Sequence, residues 1–322
     1  MNYIVLDLEW NQCPTGKADE IEKLPFEIIE IGAVRLDETL KETGRFREVV
    51  RPQLYTKLHF RTKEIVSLRA IDFENARCFP EIIPEFFDWC GDDPSFCTWG
   101  PSDLMELQRN LSYYSIPSPF AFPLIYFDIQ KIFSIVYEDR KSRRSLEYAV
   151  NYLHLPTDIP FHSALCDASY TSLIMQNMTV EQIRKNSSVD YFRTPNNRRQ
   201  EIYLHYDSYV KFVSKPFASK TQAMKDRVVT STSCYICRKN IPKKIRWFSV
   251  GSSNYCCVAY CSKHGYVKGK IRLRQRSDDK FYAVKTTKLI SEEDAYEIRE
   301  KKEIQKLKRR LRKEFSRTKQ GT

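Results

Sequence analysis

Asp7 and Glu9 stand two residues apart in the otherwise apolar run Tyr3 to Trp10, Tyr-Ile-Val-Leu-Asp-Leu-Glu-Trp. Side chains alternate along an extended strand, so both carboxylates leave the same side of it. Like charges a few ångströms apart raise each other's affinity for protons, and a hard, oxygen-seeking divalent cation is the usual resolution. Taken alone, the pair reads equally well as a strand end turning polar. Two further acids recur in comparable settings: Asp103 opens a helix directly after a short strand, and Asp167 lies in the first turn of another helix, five residues after His162. Five residues along a helix turn two side chains away from each other, so His162 must belong to the preceding loop if it is to approach Asp167. Ile159-Pro160-Phe161 supplies such a loop. Singly, each has a plain explanation: an aspartate at a helix N-terminus complements the macrodipole, and a histidine on the surface needs no role.

A second chemistry is spelled by Cys234-Tyr-Ile-Cys237 and Cys261-Ser-Lys-His264. Two such pairs offer the four soft or borderline ligands of a tetrahedral structural zinc site. Cys256 and Cys257 leave the assignment open, since either could replace Cys261 or His264; the two-residue spacing favours the latter pair. A small module of this charge would have little core of its own and would depend on its metal for folding. Interleaved with Phe248, Tyr255, Tyr260 and Tyr266 are Lys243, Lys244, Arg246, Trp247, Lys268, Lys270, Arg272 and Arg274. Basic groups contact phosphates and aromatic rings stack on unpaired bases, so these are the candidate nucleic-acid contacts.

The charge distribution points the same way. Residues 1–185 carry 20 Lys+Arg against 28 Asp+Glu, a net −8, whereas 186–322 carry 33 against 13, a net +20. So large a surplus in the second half calls for a polyanionic partner, with nucleic acid first. The acids near the start argue against a signal peptide, and the apolar stretch from Phe120 to Val136 is interrupted by Pro123, Asp128, Gln130 and Lys131, which argues against a membrane span. With ten cysteines and no visible export signal, the expected location is cytoplasmic, where thiols stay reduced.

The elements that would position these residues are an antiparallel meander at the start (Tyr3 to Trp10, Glu27 to Leu36, Gly44 to Arg51), followed by helices and short strands. Helices are expected over Phe79 to Cys90, Asp103 to Tyr113, Ile129 to Tyr137, Ser145 to Leu153 and Ser163 to Gln176, with strands at Ser95 to Thr98 and Leu124 to Phe127. This is an α/β pattern, a mixed sheet covered on both faces. The expected organisation is a catalytic domain over 1–185, a linker or partly helical bridge over 186–227, a zinc-binding basic module over 228–290, and a basic helical tail over 291–322. The tail's apolar residues Ile304, Leu307, Leu311 and Phe315 form a narrow stripe.

The order Asp-x-Glu on a first strand, an Asp after a mid-chain strand, then His-x4-Asp opening a late helix resembles the DEDDh exonuclease superfamily, whose members share a ribonuclease H-like fold. Within it the chain is most similar to the Eri-type 3′ exonucleases and the KinA-pathway inhibitor group, through Asp7-Leu8-Glu9-Trp10, Phe26-Glu27-Ile28-Ile29-Glu30, Thr98-Trp99-Gly100, Ser145-Leu146 and His162-Ser163-Ala164-Leu165-Cys166-Asp167-Ala168. The likeness covers about residues 1 to 180, and Cys166 departs from it where that group often carries a second Asp. It implies hydrolysis of phosphodiester bonds from the 3′ end, on RNA before DNA, with release of 5′-mononucleotides. By the same resemblance Asp7 bridges two Mg²⁺ or Mn²⁺ ions, Glu9 and Asp167 hold the ion on the nucleophile side, Asp103 holds the other, and His162 is the general base. Two alternatives stand beside this reading: a proofreading-type DNA exonuclease, and a nucleic-acid-binding regulator that retains the fold.

Overall fold

A computed structural model describes residues 2–320, which divide into two compact units between Arg193 and Thr194. The first unit is built on the strands β1 (Asn2–Gln12), β2 (Phe26–Leu36), β3 (Glu42–Val49), β4 (Pro94–Thr98), β5 (Ile125–Asp128) and β6 (Ser188–Val189). They form one sheet in the order β3-β2-β1-β4-β5-β6. The meander β1-β2-β3 is antiparallel, β4 and β5 run parallel to β1, and β6 closes the edge antiparallel. Its helices are α1 (Phe60–Ile65), α2 (Phe79–Cys90), α3 (Ser102–Tyr113), α4 (Ile129–Tyr137), α5 (Leu146–Tyr152), α6 (Ala164–Gln176) and α7 (Val180–Arg184). This is the ribonuclease H-like mixed sheet with helices on both faces.

The alternation of β1 sets the two cores. Ile4, Leu6 and Leu8 pack among Phe79 and Phe86 of α2 and Leu104 and Leu107 of α3, whereas Tyr3 and Val5 pack among Ile132 of α4 and Tyr170 and Ile174 of α6. Asp7 and Glu9 continue the second row, so both carboxylates enter on the α6 side of the sheet.

The second unit is an antiparallel sheet of β7 (Ile202–His205), β8 (Tyr209–Val213), β9 (Lys243–Ser249), β10 (Asn254–Cys261), β11 (Gly265–Gln275) and β12 (Phe281–Leu289), ordered β7-β8-β12-β11-β10-β9. On one face α8 (Lys220–Lys225) and α9 (Arg227–Thr230) bury Ala223 and Val229 against Phe212, Ile271, Leu273 and Ala283. On the other, α10 (Glu292–Gln320) seats Ala295 and Ile298 on Ile245, Cys256 and Val258.

Two expectations change here. The stretch 186–227 is no bridge: β6 belongs to the first sheet, and β7 and β8 are hydrogen-bonded members of the second. The cysteine-bearing region is likewise larger than a small metal-dependent module, because β8, β11 and β12 give it a core of its own. In α10 the described apolar stripe does not face the sheet. Ala295 and Ile298 do so instead, and Ile304, Leu307 and Leu311 stand more than half exposed, while the side chain of Phe315 lies outside the described residues. No helix among the described residues is long and apolar enough to cross a membrane.

Candidate active site and cysteine centre

Gly32 on β2 lies directly opposite Asp7 in the β1–β2 register. A Cβ there would sit 2.1 Å from the Ala164 carbonyl carbon and from the Leu165 nitrogen, so only glycine lets the start of α6 come down onto the sheet. Glu30, two residues back and opposite Glu9, ties that helix in place. Its wholly buried carboxylate accepts from the Ser163 hydroxyl (3.1 Å), the Ala164 N–H (3.1 Å) and the Arg47 guanidinium (2.7 Å). The pairing offsets the cost of burying this charge.

With α6 docked in this way, carboxylate oxygens of Asp7, Glu9 and Asp167 lie within 4.8 Å of one another. One Asp167 oxygen, Oδ2, accepts the His162 backbone N–H at 3.3 Å; the other, Oδ1, is buried without a hydrogen-bond partner. Asp103 follows the C-terminal end of β4, which runs parallel to β1, and its Oδ1 accepts the Leu8 N–H at 3.2 Å. His162 is in the loop before α6 with φ 68°, a left-handed conformation that histidine adopts more readily than most residues, and its side chain is exposed.

Burial is the main cause of an unusual proton affinity throughout this cluster, and mutual repulsion adds to it. Asp7 is pushed well above the ordinary carboxylate range by burial and then by Asp103, Asp167, Glu9 and Glu30. Glu9 rises to about 8 through burial and the charges of Asp167, Glu30 and Asp103. Asp103 rises to about 7 and Asp167 to about 6, both chiefly through burial, although the His162 N–H holds Asp167 down in part. The four carboxylates, and above all the unpartnered Asp167 Oδ1, therefore fit a site for hard divalent cations. Glu30, Gly32 and Ser163 escaped the reading of the sequence as site residues. A glycine inside an apolar strand was the available signal for Gly32, whereas the partners of Glu30 come from β3 and α6.

In the second unit Cys234, Cys237, Cys261 and His264 offer ligand atoms within 4.8 Å of one another. Cys234 Sγ is 3.4 Å and Cys261 Sγ 3.6 Å from His264 Nδ1, and the Cys237 and Cys261 sulfurs are 3.7 Å apart. Tetrahedral zinc with Zn–S near 2.3 Å and Zn–N near 2.0 Å would set neighbouring ligands about 3.5–3.8 Å apart, so the arrangement is compatible with zinc. Backbone N–H groups of Lys263 and His264, together with the imidazole, draw the Cys261 thiol down to about 6. The first pair lies on the turn between α9 and β9, and the second on the β10–β11 turn, where Gly265 has φ 86°. Cys256 and Cys257 stand apart from this group. Cys256 packs under α10, and Cys257, its thiol pushed up to about 12 by burial, lies against Gly269.

Elemental analysis should find about one zinc per chain, and changing Cys234 and Cys237 to Ser should remove it. Hydrogen exchange should then speed up around residues 232–241 and 261–265, while the strands around Ile271 and Ala283 keep their protection, since their core needs no metal. A parent protein without zinc would refute the site.

The basic candidates do not all share one surface. Lys268, Lys270, Arg272 and Arg274 alternate along β11 with the inward Val267, Gly269, Ile271 and Leu273. Trp247 is on the opposite face, packed near Gly269 with its indole N–H given to the Thr230 carbonyl at 2.8 Å, so it is not a free stacking platform. On β9, Lys244 lies over the Tyr260 ring, Arg246 is exposed and Lys243 is half-buried.

Residues 4–175 match the exonuclease family model RNase_T, and the chain belongs to that family. With Asp7, Glu9, Asp103, His162 and Asp167 in their order, it falls in the DEDDh superfamily and is a nucleic-acid exonuclease. Among solved structures, it resembles the nuclease domain of 3′hExo, a DEDDh family member, bound to rAMP (22% identity, 55% of this chain and 90% of that one, TM-score 0.48). It also resembles cell-death related nuclease 4 (20%, 59% and 66%, 0.47). A third match is E. coli exonuclease I in complex with an oligonucleotide (12%, 80% and 54%, 0.45). No curated protein matches the chain in sequence.

Proposed function

We propose that this exonuclease degrades RNA from a single-stranded 3′ end and releases 5′-mononucleotides, in a reducing, cytoplasmic compartment. The observation that carries the reading is the convergence of Asp7, Glu9 and Asp167, with Asp103 beside them and one buried Asp167 oxygen left without a partner. Asp7, Glu9, Asp103 and Asp167 would hold two Mg²⁺ or Mn²⁺ ions, which supply charge neutralisation at the phosphorus and an acidified water. His162, exposed beside Asp167, takes the proton from the attacking water, a contribution typically worth about 10²–10⁴-fold. The buried carboxylates keep their geometry through Glu30 and Gly32, so the site is organised before substrate arrives. In the second unit Cys234, Cys237, Cys261 and His264 would hold one structural Zn²⁺, and the basic strand β11 would hold substrate. The preference for RNA rests on the likeness to the Eri-type group, and the presence of all five site residues weighs against a regulator that only retains the fold. Ten cysteines outside any disulfide among the described residues, three of them zinc ligands in this reading, support the reducing compartment.

The test is digestion of a 5′-labelled single-stranded RNA with Mg²⁺, beside the same sequence in deoxy form and an RNA blocked at its 3′ end. A ladder shortening from the 3′ end, at least about tenfold slower on the deoxy strand and absent on the blocked one, is expected, because the 2′-hydroxyl is what distinguishes the two substrates. Early release of the 5′ label would overturn the polarity. Faster digestion of the deoxy strand would give the proofreading-type alternative.

A further inference from the structure

In the second unit, β11 and β12 place Lys268 directly across from Lys288. Like charges in that position repel and destabilise a sheet. Lys270 and Arg272 continue the row on the same face, with Thr286 and Val284 opposite them, and Lys211 of β8 lies across from Thr286. Residues two apart on a strand are about 6.7 Å apart, so the row from Lys268 to Arg272 is about 13 Å long. No aspartate or glutamate occurs in β8, β11 or β12. Lys268, Lys270, Arg272 and Lys288 have no ion-pair or side-chain hydrogen-bond partner among the described residues.

Other basic groups of this unit are differently placed. Arg198 is paired with Glu201 and Asp226, Arg276 and Lys280 with Asp278, and Lys285 gives its ammonium protons to the carbonyls of Val228 and Ser231. The opposite face of the same sheet is closed by α8 and α9, and the β9–β10 end of this one by α10. An open row of unneutralised charge beside a like-charge pair is a standing cost to the fold, and a polyanion laid along it removes that cost.

We propose that this face, defined by Lys268, Lys270, Arg272 and Lys288, is a phosphodiester-binding platform that holds the backbone of a nucleic acid strand without reading its bases. The proposal rests on the nucleic-acid substrate argued above and deepens it by naming the surface. Because phosphate contacts carry no sequence information, binding here is sequence-independent and strongly salt-dependent.

The test compares two quadruple variants of the full chain. In one, Lys268, Lys270, Arg272 and Lys288 become Gln. In the other, the exposed Lys225, Arg227, Lys239 and Lys263, which lie on α8, α9 and the two cysteine-bearing turns, become Gln. Fluorescence anisotropy with a single-stranded RNA of mixed sequence, from low to high salt, gives affinity and its salt slope. At about −0.7 per phosphate in a single strand, the face variant should lose about 2–3 from the slope and bind at least tenfold more weakly at low salt, with the other variant near the parent. Its melting temperature should also stay level or rise, since the Lys268–Lys288 repulsion is gone. Equal slopes for the two variants, or weaker binding by the face variant only alongside a lowered melting temperature, would overturn the platform. Parent cleavage is scored separately. A parent that binds RNA without degrading it counts against the catalytic reading alone, and one that degrades RNA while the face variant binds unchanged counts against the platform alone.

Discussion

Asp7→Asn should reduce turnover by about 10³-fold or more while leaving nucleic-acid affinity within a few-fold of the parent. Asp7 is the carboxylate on which the cluster's repulsion converges: Asp103, Asp167, Glu9 and Glu30 all raise its proton affinity, on top of burial. A cation held there would neutralise charge in the transition state, and losing several kcal/mol of that stabilisation corresponds to a loss of this size. The amide has nearly the same shape, and the proposed capture surface lies in the other unit, so binding has no reason to fail. The same change should stabilise the metal-free protein at pH 8, because a carboxyl buried there must either keep its charge among like charges or take up a proton at a cost, and an amide does neither. Turnover within tenfold of the parent would remove Asp7 from the chemistry, and a lower melting temperature for the metal-free variant would contradict the account of its burial.

The second large effect is the dependence of stability on pH and metal. Glu9 at about 8, Asp103 at about 7 and Asp167 at about 6 all lie above the value near 4 of an unfolded carboxylate. The folded, metal-free protein therefore binds more protons than the unfolded chain between about pH 4 and 8, and stability falls as pH rises through that window. The contribution of these groups is fully present below about pH 4 and is lost as pH climbs through 6, 7 and 8. In EDTA, the melting transition of the catalytic unit should fall by roughly 5–10 °C between pH 5.5 and 8.5, taking a few kcal/mol in all and about 2–4 °C per kcal/mol for a unit of this size. Saturating Mg²⁺ should restore it at pH 8.5 and do much less at pH 5.5, with protons released on binding. A metal-free curve that is flat or rises over this range would mean that the four carboxylates are not a strained anionic cluster.

Sequence alone determined the identities and order of the chemistry: Asp7 and Glu9 on one side of a strand, Asp103 and Asp167 at helix starts, His162 ahead of its helix, and two cysteine-bearing pairs. These follow from local rules, namely alternation along a strand, helix-start preferences and ligand spacing, which operate within a few residues. The helices Phe79–Cys90 and Ile129–Tyr137 were readable to their ends for the same reason.

Only the tertiary structure decided what required distant segments to meet. Glu30 reads as one more strand residue until Ser163, 133 positions away, donates to it, and Gly32 acquires its meaning only from the α6 backbone that presses on it. Ile202–His205 and Tyr209–Val213 read as linker because short, mixed-polarity strands become strands by pairing, here with β12 on the far side of the cysteine turns. Trp247 and Lys270 looked alike as basic or aromatic candidates in one stretch. Register placed one inside and the other outside, because a shift of a single residue along a strand exchanges the two faces of a sheet.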